Sequence, residues 1–176
     1  PHTVRKVGSK SVELPHTLRI LAPGEIDARI TVSVYSTDGS FIPAGLEGKV
    51  IKSGSVATLD LNPNLPASKF GIRISSDEPI VASVFSQTIS EGKSDFIWST
   101  AAAELTQSNF SVAGLAPQLI FIGAKVKAEL VLLFNNGKRK TVRINGEDIA
   151  AVKVPDGVRS ISITGAGKGI YGAGLV

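Results

Sequence analysis

The chain contains no cysteine and no methionine. Without cysteine there can be no disulfide, no thiolate metal site and no cysteine nucleophile. Two histidines, His2 and His16, are too few for a histidine-rich centre, and neither has an obvious carboxylate partner nearby in sequence. Aromatic residues are sparse, with one tryptophan and two tyrosines. No apolar run approaches the roughly 20 residues that a membrane-spanning helix requires. Nine prolines and eighteen glycines disfavour long helices, and 43% hydrophobic residues disfavour a disordered tail.

What is present is a succession of short alternating segments separated by turns. Arg29-Ile30-Thr31-Val32-Ser33-Val34 alternates polar and apolar residues as a half-buried strand does. Ala57, Leu59 and Leu61 share one face of a second strand, and Phe70, Ile72 and Ile74 one face of a third. Ile80 to Phe85 is a more continuous apolar run. Asp38-Gly39, Ser53-Gly54 and Asp77-Glu78-Pro79 mark turns, while two prolines make Asn62 to Pro66 a loop.

The second half repeats this order. Ala28-Arg29-Ile30 answers Ala128-Glu129-Leu130, and Asp38-Gly39 answers Asn136-Gly137. Thr58 to Leu61 answers Ala151 to Val154, and Ile72 to Ser75 answers Ile161 to Thr164. Short strands at such spacings predict an all-β fold of two tandem immunoglobulin-like β-sandwich repeats. The expected boundaries are 1–93 for the first repeat, 94–110 for a connector and 111–176 for the second repeat. Within the connector, Phe96-Ile97-Trp98 reads as a strand or anchor, and Ala101 to Leu105 could form one helical turn. Modules this small gain little stability alone, so a shared interface filled by Trp98, Leu105 and Phe110 is expected.

Each chemical motif fails on its own requirements. Gly167-Lys168-Gly169-Ile170-Tyr171-Gly172 matches G-x-G-x-x-G, but no helix and no acidic residue follow it. Asp60-Leu61-Asn62-Pro63-Asn64 starts like a calcium loop, yet Leu65 and Gly71 stand where glycine and glutamate are needed. Ser90-Glu91-Gly92-Lys93 fits S-x-x-K, but Gly92 argues against the helical turn that this pair needs. Asp77-Glu78 and Glu147-Asp148 are carboxylate pairs that read as solvated turns rather than as a hydrolytic dyad. Tyr35, Trp98 and Tyr171 are the candidate sugar-stacking rings.

The net charge is +4. Residues 1–90 hold nine Lys/Arg against eight Asp/Glu, and residues 91–176 hold ten against seven. The only cluster is Lys138-Arg139-Lys140 with Arg143, placed after a hairpin turn and lacking interleaved aromatics. It reads as a solvated turn, not a nucleic-acid patch. No signal peptide is visible, and the chain begins at Pro1, so any signal or anchor of an exported parent is expected outside it.

Several stretches together resemble a family of uncharacterised domains from actinobacterial exported, envelope-associated proteins. They are Ala22-Pro23-Gly24 with the 28–34 strand, Ser36-Thr37-Asp38-Gly39, and Lys52-Ser53-Gly54-Ser55 leading to Leu59-Asp60-Leu61. Ile72 to Asp77 leading to Pro79-Ile80-Val81-Ala82, and Asp95-Phe96-Ile97-Trp98 with Ala101 to Leu105, complete the set. In the second half Gly123-Ala124 replaces the Pro-Gly turn. The resemblance implies export, a membrane-tethered parent and no established enzymatic role. The expected function is therefore a non-catalytic extracytoplasmic scaffold or protein-interaction module. The alternative is a polysaccharide-binding module of the cell envelope. No catalytic, metal or cofactor-binding residue is assigned, and no nucleic-acid partner or membrane insertion is expected.

Overall fold

Alternation leaves each strand with one apolar face, and two such faces must meet to leave water. A computed structural model describes residues 11–13, 16–36, 39–61, 70–90, 92–105, 107–112, 117–123, 125–164, 166 and 169–175. The described residues are β-strands, turns and bends, with no helix. None is therefore in a helix long and apolar enough to cross a membrane. The chain divides into two units, Pro1–Ala101 and Ala102–Val176.

Among the described residues the first unit carries nine strands. They are β1 (Ser11–Glu13), β2 (His16–Leu21), β3 (Ala28–Ser36), β4 (Gly39–Phe41), β5 (Lys49–Ile51), β6 (Val56–Leu61), β7 (Phe70–Ser76), β8 (Val81–Ser90) and β9 (Lys93–Thr100). One sheet centres on β2 and β8: β2 lies between β6 and β8, and β8 also pairs with β1 and β9. The other sheet centres on β3, which pairs with β4, β5 and β7. All these pairings are antiparallel. Leu18, Ile20, Leu59, Leu61 and Val84 from the first sheet form one core with Ala28, Ile30, Val32, Val34, Ile51 and Phe70 from the second. The period-two pattern of β3 is realised: its alternate residues from Ala28 to Ser36 are buried.

Among the described residues the second unit carries seven strands. They are β10 (Ser108–Ser111), β11 (Gln118–Ile122), β12 (Val126–Phe134), β13 (Arg139–Gly146), β14 (Ile149–Lys153), β15 (Val158–Thr164) and β16 (Tyr171–Leu175). β11 lies between β14 and β16, while β12 lies between β13 and β15, with β10 outside β15. Leu119 and Phe121 share a core with Val126, Leu130, Leu132, Ile144, Ile161 and Ile163. Part of the pairing of the first unit recurs in this one. β11, β14 and β16 pair as β2, β6 and β8 do, and β12 pairs with β13 and β15 as β3 pairs with β5 and β7. The leading strands differ, because β1 joins β8 whereas β10 joins β15.

The strand reading of Phe96-Ile97-Trp98 lies within β9, which takes in the rest of 94–100 as well, and β10 starts at Ser108. Ala101 to Leu105 form no helical turn: Glu104 bridges to Tyr171, and the Leu105 N–H donates to the Ile170 carbonyl at 2.7 Å. Extended backbone lets Leu105 pack on the second core, where Phe110 also packs. Trp98 belongs to neither core.

Turn chemistry closes the strands. In the β12–β13 hairpin, Gly137 adopts φ 81°, a conformation that costs glycine little. The Asn136 side chain there accepts from the Lys138 N–H. Gly146 ends β13 where a Cβ would collide with the Ile149 carbonyl. In the first unit, Asp27 accepts from the Ser53 N–H at 2.9 Å and from Lys52 Nζ at 2.7 Å, tying two loops together. Lys52 holds the Asp27 carboxyl below its ordinary value, with the Ser53 N–H adding to the shift, and Asp27 raises Lys52.

Leu130→Ala should cost about 2–5 kcal/mol, because the side chain is fully buried in the second core. Gly146→Ala should cost about 1–3 kcal/mol as an overpacked site. Denaturant midpoints at constant slope test both. The Asp27–Lys52 pair has a definite sign with pH. Its contribution is present above the ordinary carboxylate pKa and is lost as pH falls through the lowered Asp27 value. It is also lost as pH rises through the raised Lys52 value. Asp27→Asn keeps the acceptor for Ser53, so the stability difference from wild type should vanish at low pH and shrink with added salt.

Candidate functional site

β2 buries His16, Leu18 and Ile20, so Thr17, Arg19 and Leu21 face outward. Register then assembles rows across the outer face of this sheet. Arg19 lies opposite Ser83, and Ser83 opposite Thr100. Thr17 lies opposite Phe85, Phe85 opposite Trp98, and Gln87 opposite Phe96. Phe85 packs on Trp98 with ring centroids 4.8 Å apart and on Phe96 at 5.8 Å. The Arg19 guanidinium sits 5.1 Å from the centre of the Trp98 ring, a cation–π contact. Gln87 Nε2 donates to Ser94 Oγ at 2.7 Å beside this cluster.

The rings are not covered. Phe96 is 63% exposed, Ile97 54% and Trp98 42%. Ile97 lies on the opposite face of β9 from its two neighbours, because successive side chains alternate. β9 therefore exposes large apolar side chains on both faces. Among the described residues β9 pairs only with β8, so its other edge carries no ladder. Native sheets usually blunt such edges with charge, proline or a bulge. Lys93 and Asp95 lie at one end of β9, and its centre is Phe-Ile-Trp.

The residues singled out from sequence do not gather here, Trp98 excepted. Ser90 and Lys93 face each other across the β8–β9 hairpin, whose turn holds Gly92 at φ 76°, so S-x-x-K is a hairpin and not a helical turn. Asp60 is exposed on β6, and positions 62–69 of the calcium-like loop lie outside the described residues. Gly167 and Lys168 lie outside them too, as does His2. A Cβ at Gly172 would press on the Leu105 side chain and the Phe121 ring, so packing favours a small residue there. His16 is buried, shares a 2.8 Å hydrogen bond with Ser86 Oγ and meets the Phe70 ring edge-on. Asp77 Oδ1 accepts from the Arg29 N–H, fixing the start of β3. Glu147 and Asp148 offer their carbonyls to the N–H groups of Lys125 and Gly123. Among the described residues no three acidic or histidine side chains converge as a metal site would require. Tyr35 is half-buried on β3, and Tyr171 starts β16.

In the second unit, Lys138, Arg139 and Lys140 are exposed at the β12–β13 hairpin. A shallow depression of about 320 Å³ lies on the outer face of β12, β13 and β15, lined by Lys127, Glu129, Arg143, Asn145 and Thr164 among others. Glu129 approaches Arg143 there at 3.5 Å, so the depression presents both signs of charge.

A model for the family of unknown function DUF5719 matches residues 9–166. The chain belongs to this family. No curated protein and no solved structure matches it. The DUF5719 match runs through both units and includes all of β9.

Sequence reasoning placed Trp98 inside a shared interface, but missed the cluster it forms. Phe85 and Phe96 are eleven residues apart, and only the hairpin register brings them together. The signal in sequence was the Phe-Ile-Trp run itself, which is too apolar for an ordinary edge strand. Trp98→Ala should cost about 1–2 kcal/mol, the scale of one aromatic pair and one exposed cation–π contact. Phe70→Ala, in the core, should cost about 3–5 kcal/mol. As the single tryptophan, Trp98 should also be readily quenched by acrylamide in the native state. An unquenched, blue-shifted emission would place its ring in a core instead.

Proposed function

We propose that this DUF5719 chain is a non-catalytic protein-interaction or scaffold module, built as a tandem duplication of an immunoglobulin-like sandwich and carried by an exported, envelope-associated protein. The observation that carries the reading is β9, an edge strand exposing Phe96, Ile97 and Trp98 on both faces. A strand added at that edge would supply main-chain partners and cover both faces at once, as in β-augmentation. The shared pairing order of β2–β8 and β11–β16 supports duplication. The envelope location rests on the sequence resemblance.

Polysaccharide binding is the second reading, favoured by Phe96 and Trp98 standing on one face beside Arg19. Such a platform leaves Ile97, on the other face, without a role. The two readings separate by experiment. A photoreactive residue at position 97, illuminated in extract of the cells that make the protein, should yield an adduct with a defined polypeptide. Mass spectrometry should map that adduct, and purified partner should reproduce it. Retention on envelope polysaccharide, abolished by Trp98→Ala and with no polypeptide adduct at 97, would replace the first reading by the second.

A further inference from the structure

We infer that the strand docking on β9 is β9 of a second copy of this chain, paired antiparallel about a two-fold axis through Ile97. This inference rests on the interaction reading above and names its partner.

The register is self-complementary. With Ile97 opposite its own mate, Phe96 meets Trp98, Asp95 meets Ser99, and Ser94 meets Thr100, twice over by symmetry. Directly opposed residues share a face. On the outer face, Phe85–Trp98 of one copy therefore continues into Phe96 of the other, and the symmetric row repeats the contact. Six rings then form one aromatic cluster across the axis. On the inner face, the two Ile97 side chains cover one another. An occupant lying on the outer face would account for Phe96 and Trp98 alone, whereas a strand at the edge accounts for all three residues.

Area and charge agree with this occupant. At their observed exposures, Phe96, Ile97 and Trp98 leave roughly 300 Å² per copy for a partner to cover. Two copies thus remove roughly 600 Å² through three residues each, about half of the ~1,200 Å² at the lower end of specific interfaces. Lys93, Ser94, Asp95 and Thr100 are also exposed and would add to this area together with the strand backbone. That size lies at the lower end of specific interfaces, where reversible association is expected. Residues 1–101 hold ten Lys/Arg and ten Asp/Glu, so two first units approach without net repulsion. The excess positive charge lies in residues 102–176, with nine against five.

The test uses the purified full chain. Sedimentation equilibrium across the micromolar range should show reversible association to twice the 18.3 kDa chain mass. Ile97→Lys, which places a charge on the axis, should weaken association at least tenfold, whereas Val81→Lys, on β8 outside the β9 ladder, should leave it unchanged. Circular dichroism confirms that each variant is folded. Because the chain has no cysteine, Ile97→Cys supplies a second, independent readout. Opposed residues stand close enough for a disulfide, so mild oxidation should give a covalent dimer faster than the exposed Val56→Cys control. A monomer at all concentrations, or equal crosslinking at 97 and 56, overturns the second copy as partner. In that event the position-97 photoadduct with a different polypeptide still decides the interaction reading on its own.

Discussion

The regular strands of this protein share one problem, the burial of an apolar face without a disulfide or a thiolate metal site. A sheet with one apolar face cannot stand alone in water, and here neither a disulfide nor a thiolate metal site is available to brace it. Each unit meets the constraint by facing two antiparallel sheets, so that Ile30, Val32 and Val34 meet Leu18, Ile20 and Leu61 in one unit. In the other, Leu130 and Leu132 meet Leu119 and Phe121. Loops are then left with local tasks. Asp27, Asp77 and Asn136 satisfy backbone donors at turns, and of the paired carboxylates weighed from sequence the Asp77 side chain is occupied in that way.

β9 departs from this arrangement. Its central side chains are as apolar as a core strand's, yet it lies at a sheet edge with both faces open. Burial in water favours covering such a strand, and the backbone groups along its free edge favour covering it with another strand. Arg19 over Trp98 and Gln87 bonded to Ser94 limit how freely the cluster can move, which lowers the ordering cost of an encounter. The same features that make the edge a recognition element make it an aggregation hazard if left bare.

Much of the architecture was legible along the chain. The 29–34 alternation placed β3 and its buried face, and Asn136-Gly137 placed a hairpin. In the segment from Ser94 to Asn109 the strand at Phe96-Ile97-Trp98 was legible, but not the sheet edge it occupies, because the run has no alternation from which to read a face. Extended backbone at Glu104 and Leu105 was missed for a related reason. Alanine runs favour helix locally, and only the bridge to Tyr171, distant in sequence, overrides that preference.

Composition and periodicity by themselves determined the all-β class, the absence of cysteine chemistry, the positions of most turns and which residues of the regular strands point inward. Those properties follow from side-chain volume, polarity and a two-residue repeat, all of them local. Tertiary structure alone decided which strand lies beside which. It left β9 at an edge, brought Phe85, Phe96 and Trp98 into one cluster under Arg19, and sent β1 and β10 to non-equivalent neighbours. Strand pairing is a contest among distant segments for the same backbone hydrogen bonds, and its outcome depends on how all the faces pack at once.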